Sequence, residues 1–221
     1  KRAMDRWPGV TRVLIRGYGD PCSAHLIHTV RAFRARGIDV VVYTTAEGGV
    51  ASAAELTAGG VGEVVVTLMP GIRGASVADA EGVAPAIDLR AFAAALGSRV
   101  RLTVQIPVTR STLIHRAAGR ALSQTMQIRT ARVEFIGPRP FGFGFDSAAD
   151  SMTLAEWLWD DDADVISAIA SLRRHPGARK VVSWPVLLSR TTNPRTCRRP
   201  WTEATVDGVG ALAPCYVVAP D

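Results

Sequence analysis

Five short runs of β-branched and apolar residues, separated by helix-like stretches, constrain this chain more than any other feature. They lie at residues 12–15, 40–43, 64–67, 101–106 and 132–136, and the second and third hold unbroken valine triplets. A strand with one wet face alternates apolar and polar residues. An unbroken apolar run suits a strand covered on both faces, as in a parallel sheet. Between the runs, Leu26, Val30 and Phe33 share one helix face, and Gly37 ends that helix. Ile114, Ala118, Ala121 and Leu122 repeat the spacing later. Strands alternating with helices give a right-handed parallel α/β fold. The pattern fits a barrel and an open doubly wound sheet alike.

The character changes after Gly137. Residues 137–150 are rich in Gly, Pro and Phe and read as a loop. A helical stretch over 153–174 follows, broken near Asp160–Asp162, and beyond Pro176 come short strands and turns. This divides the chain into a core (1–150), a connection (151–185) and an extension (186–221) with a small β-hairpin. A length of 221 residues allows one large domain and such an appendage. No apolar run reaches the roughly 20 residues a membrane helix needs. No charged-then-apolar leader opens the sequence, which begins at Lys1 without a methionine.

The formal charge is +6, and of 26 Lys and Arg only Lys1 and Lys180 are lysine. A basic balance can mark a nucleic-acid partner. The arginines here are scattered, so nucleic acid is not the expected partner. The three cysteines, Cys22, Cys197 and Cys215, are too few for a disulfide scaffold, and a reducing cytoplasm is the default placement.

Ligands in parallel α/β folds bind beyond the carboxyl ends of the strands. Five strand ends here run into turn-formers, beginning at Arg16-Gly17, Thr44-Thr45, Thr67-Leu68, Pro107-Val108 and Gly137-Pro138. Glycines there let a backbone approach a ligand, and threonine hydroxyls donate to or accept from ribose or carboxylate groups.

Gly17-Tyr18-Gly19-Asp20-Pro21, after a strand and before a helix, resembles the Gly-Gly-Glu-Pro motif of radical SAM enzymes. About 25 residues on, as in that family's strand–helix spacing, Tyr43-Thr44-Thr45-Ala46-Glu47-Gly48 is similar to its Thr-Asn-Gly turn. Val65-Val66-Thr67-Leu68 stands where the family often has Ser-Leu-Asp, and the helix wording from Thr29 to Ile38 resembles the family's between the motifs. The resemblance implies a partial TIM-like (β/α) barrel with five of an expected six units. It also implies S-adenosylmethionine (SAM) held by Gly17, Tyr18, Gly19, Asp20, Pro21, Thr44, Thr45 and Thr67. Tyr18 and Asp20 depart from the family's glycine and glutamate, and the turn lacks its asparagine.

Cys197-Arg198-Arg199-Pro200-Trp201 leads through twelve residues to Gly210, and four more precede Cys215. This resembles the start of the SPASM extension, which implies Cys197 and Cys215 as ligands of an auxiliary iron–sulfur cluster, thiolates being soft donors to iron. Expected hairpin strands are 201–206 and 212–218. The family's Cys-x3-Cys-x2-Cys motif for the SAM-cleaving [4Fe-4S] cluster does not occur in residues 1–221. That motif and the barrel's first strand, with its loop and helix, are expected before Lys1. The implied function of the parent is cleavage of SAM to a 5′-deoxyadenosyl radical, with an electron donor and a peptide or protein substrate. The alternative is a degenerate, non-catalytic ligand- or peptide-binding α/β domain; more distant is an unrelated nucleotide-binding domain.

Other features read more plainly. Cys22 fits a small packed residue. His25 and His28 lack further partners at metal-site spacing. Asp160, Asp161, Asp162 and Asp164 fail the glycine and glutamate positions of a calcium loop. Phe141, Phe143 and Phe145 suit either stacking on a substrate or packing on the extension.

Overall fold

A computed structural model describes residues 9–16, 24–46, 48–68, 88–129, 131–137, 155–189, 205–206 and 212–213. The expected Gly17–Pro21 loop, Cys22, the phenylalanine loop, Cys197, Gly210 and Cys215 lie outside the described residues.

The core is a six-stranded, all-parallel sheet of β1 (Arg12–Ile15), β2 (Asp39–Thr44), β3 (Glu63–Thr67), β4 (Arg101–Pro107), β5 (Arg132–Ile136) and β6 (Val181–Ser183). The spatial order is the sequence order, 1-2-3-4-5-6. One strand more is present than the five read from the sequence, and it comes from the connection after Pro176. A doubly wound sheet reverses its strand order partway; this one does not, so that alternative is excluded. Parallel strands added always on the same side, with right-handed crossovers, put every helix on one face.

The packing agrees. Val40, Val42, Val64, Val66, Leu102, Val104, Ile106, Val133 and Phe135 form one buried cluster with residues from every core helix. Those helices are α1 (Ala24–Arg34), α2 (Gly49–Gly59), α3 (Leu89–Leu96), α4 (Arg110–Ile114), α5 (Ala117–Met126) and α6 (Ala163–Arg173). The valines alternate along each strand, so their neighbours face the other way. That other face carries no helix among the described residues, yet Val41, Val65, Thr103 and Glu63 on it are buried.

Helix ends follow sequence chemistry. Gly37 (φ +75°) and Gly60 (φ +82°) take the left-handed conformation that ends α1 and α2. Asp88 caps α3 by accepting from the Ala91 amide at 2.9 Å. The expected helix through Ile114 and Leu122 is instead two, α4 and α5, because Arg116 at φ +58° breaks the turn between them. The expected break near Asp160–Asp162 is present: Asp162 caps α6, its Oδ1 accepting from the Asp164 and Val165 amides at 3.0 and 3.2 Å. Its other oxygen accepts from Arg110 Nε at 2.7 Å, so this acidic group is a helix cap tied to an arginine. No group of three or more metal-ligating side chains occurs among the described residues, and no helix among them is long and apolar enough to cross a membrane.

In the extension, β7 (Thr205–Val206) pairs antiparallel with β8 (Leu212–Ala213), in the register Thr205↔Ala213 and Val206↔Leu212. This is the pairing expected between the two cysteines.

Candidate functional site

The helix-free face of the sheet mixes polar side chains with the buried Val41 and Val65, and its side chains fall in rows set by the register. Nearest the amino ends are Val41, Glu63 and Arg101; next come Tyr43, Val65, Thr103 and Arg132. Nearest the carboxyl ends are Thr67, Gln105 and Glu134. Gln105 Nε2 donates to Glu134 Oε2 at 3.0 Å across β4 and β5. At the other side of this face, the Arg16 guanidinium lies 4.0 Å from the Tyr43 ring centroid and donates to its hydroxyl at 2.8 Å. Such an arginine held flat on a ring combines cation–π attraction with a directed hydrogen bond.

Two of the expected SAM contacts have separate fates within one turn. Thr44 pairs opposite Val66 on the helix side, is buried, and accepts from the Ala46 amide at 2.8 Å. Its hydroxyl shapes the turn, where Ala46 has φ +59°. Alternation assigns Thr45 to the face of Tyr43. The Thr45 Oγ1 is buried and makes no hydrogen bond among the described residues, an uncommon state for a hydroxyl, since a buried polar atom without a partner costs about 1–3 kcal/mol. Thr67 ends β3 half-buried, level with Gln105. Thr45 and Thr67 therefore share the carboxyl end of one face with Gln105 and Glu134, whereas Thr44 turns to the helices.

Gln105, Glu134, Tyr43 and Arg16 were not among the residues expected from sequence. Their signal was present: Leu102-Thr103-Val104-Gln105-Ile106 and Val133-Glu134-Phe135 alternate strictly, the mark of a strand with one polar face.

Past this face, the start of α4 is clamped by residues from before α6. Thr109 is its N-cap in a capping box with Thr112. The Glu156 carboxylate accepts from the Ser111 amide at 2.9 Å and from the Ser111 hydroxyl. Burial pushes the Glu156 carboxyl up. The hydrogen bonds from Ser111 and Thr109, with the charge of Arg110, outweigh this and hold it below the ordinary glutamate value. A carboxyl lowered by folding contributes stability above its unfolded pKa, and the contribution is lost as pH falls through its folded pKa. Glu156→Gln is therefore expected to destabilise the protein near neutral pH and to flatten the acid limb of its stability curve. Urea melts at a series of pH values check this; an acid limb unchanged by the substitution would assign that slope to other carboxylates.

No protein-family model matches the chain, and no curated protein matches it.

Proposed function

We propose that this chain is the SAM-binding core of a radical SAM-type enzyme, with the start of an auxiliary-cluster extension. One observation carries the reading: a parallel sheet in sequential order, helices on one face only, with polar side chains at the carboxyl end of the other. That is the end where parallel folds bind ligands, and β1 ends there, just before the Gly17–Pro21 motif in sequence.

The residues present suit SAM. The Thr45 hydroxyl has an unused donor and acceptor. Among the described residues, Glu134 is engaged by the neutral Gln105 amide and by no cation. A carboxylate so placed is a fitting acceptor for an ammonium group or ribose hydroxyls. When bound, the iron–sulfur centre would supply the electron that cleaves SAM, which is the cofactor's own chemistry. This chain's part is to orient SAM, keep water from it and hold a substrate nearby, which the resemblance implies to be a peptide or protein. The iron–sulfur reading rests on the spacing of Cys197 and Cys215, with the β7–β8 pairing between them in support.

Calorimetric titration of the chain with SAM tests the binding step. Saturable binding is expected, weakened about tenfold or more by Glu134→Ala, in keeping with about 1.5–3 kcal/mol for a hydrogen bond to a charged group. Thr67→Ala is expected to weaken it less. Absence of saturation at millimolar SAM, or indifference to Glu134→Ala, overturns the assignment.

A further inference from the structure

At the amino end of the same sheet lies a feature the SAM reading does not use. A cleft of about 320 Å³ is lined by Gly62, Ser98, Arg99, Val100, Arg101, Leu102 and Arg132. Its position follows from the chain path. Arg99 and Ser98 sit on the turn that feeds β4, and Arg101 opens that strand, its amide donating to the Gly62 carbonyl at 3.1 Å. Arg132 opens β5 opposite Thr103, which puts it diagonal to Arg101 on the helix-free face. Three guanidinium groups thus belong to one concavity.

Their electrostatic surroundings are uneven. Glu63 is the nearest acid, and it accepts from Arg101 at 3.1 Å and from Arg12 at 2.8 Å. Asp39 stands beside Gly62 and is paired with Arg34 at 3.0 Å. Arg99 and Arg132 have no acidic partner among the described residues. Counting Arg12 and Arg34, five arginines meet two carboxylates around the cleft, and Arg99 and Arg132, which have no acidic partner among the described residues, line it. Ser98 adds a hydroxyl donor that makes no side-chain hydrogen bond among the described residues. Guanidinium groups present a flat fork of donors that matches phosphate oxygens. The cleft falls at the lower end of the roughly 300–1,000 Å³ common for small-ligand sites.

We propose that this cleft is a binding site for a small phosphorylated ligand, held by Arg99, Arg132 and Ser98, with Arg101 as the link to the sheet. It lies at the opposite end of β4 from the proposed SAM site. Along β4, Arg101 and Gln105 are four residues apart, about 13 Å at the usual rise, and along β5 Arg132 and Glu134 are two apart, about 7 Å. The cleft is a second site on the same sheet, opening at its amino end. The concave setting favours a compact ligand over a polymer, since the other arginines are scattered along the sequence.

Pyrophosphate is the probe, titrated at low ionic strength into the wild-type chain and into Arg99→Ala/Arg132→Ala. Both side chains are exposed and unpaired, so the variant is expected to keep its fold, which circular dichroism and a thermal melt check. Arg101 is left in place because it holds the buried Glu63. Saturable binding that weakens at least tenfold in the double variant supports the site. A variant that melts with the wild type and binds pyrophosphate equally well overturns it, as does a wild type that never saturates. Phosphatidylcholine vesicles with and without phosphatidylinositol phosphate separate a lipid headgroup from a soluble ligand. Arginine-dependent capture by the doped vesicles alone, or by a single-stranded oligonucleotide alone, also overturns the small-ligand assignment.

Discussion

Replacing Phe92 by alanine should cost the protein about 3–5 kcal/mol, the range for removing a large aromatic ring from a packed core. Phe92 is fully buried in α3, within the cluster that joins the core helices to one face of the sheet. Neighbouring side chains come from both layers, so the void has little room to collapse. At about 2–4 °C per kcal/mol for a chain of this size, the melting temperature should fall by about 6–20 °C. The helix-free face should be untouched, so its Gln105–Glu134 and Arg101–Glu63 contacts should persist well below the new midpoint. A loss under about 1 kcal/mol in urea would contradict the one-sided core, because a half-exposed ring costs little to remove.

The second large effect is expected at Glu63. Its carboxylate is buried at the amino end of β3 and gathers three donors from two other strands: Arg12 at 2.8 Å, Arg101 at 3.1 Å and the Thr103 hydroxyl at 2.9 Å. Both arginines are half exposed and can return to water. The Thr103 hydroxyl is 2% exposed and cannot. Glu63→Ala should therefore cost about 2–3 kcal/mol, chiefly through that stranded hydroxyl and the mutual repulsion of the two guanidinium groups. Glu63→Gln keeps an acceptor for Thr103 and should cost about half as much. Glu63→Leu combined with Thr103→Val should recover much of the loss, since removing both members of a buried pair is cheaper than removing one. Denaturant melts of the four proteins give the comparison; equal losses in Glu63→Ala and the double variant would show that the hydroxyl is not what suffers.

The strands were legible in the sequence because most of them are buried on at least one face. The runs at 12–15 and 132–136 match β1 and β5, and the other three fall within one residue of β2, β3 and β4 at each end. Glu63 and Asp39 were left out at two of those edges because a charged residue beside a valine triplet looks like the end of a strand. Here the strand continues, since Glu63 finds its partners on β1 and β4. The strand β6 gave no such signal. It has three residues, two of them exposed, and it follows a tight helical turn at Pro176–Lys180. An edge strand needs neither a long apolar run nor alternation to pair through its backbone.

The polar residues at the carboxyl end of the helix-free face were legible only in part, for a related reason. Attention to the loops after each strand found Thr45 and Thr67, which stand at strand ends. It passed over Gln105 and Glu134, which sit inside strands and are visible only as the polar half of an alternating pattern. Thr44 shows the limit of residue type as a guide: two adjacent threonines have the same chemistry, and the pleat sends one to the helices and the other to the open face.

The strand order also governs how the chain can assemble. Every strand of the sheet lies beside the one made just before it, so no strand must wait for a partner synthesised much later. A chain emerging from the ribosome can add each β/α unit to a growing edge, as domains that form from the amino terminus onward do. The closures required are those of single crossovers, and their entropy rises only slowly with loop length. The last strand, β6, joins by two register pairs with a shift between them. It arrives after a long intervening segment, which makes it the final and lightest addition to the sheet.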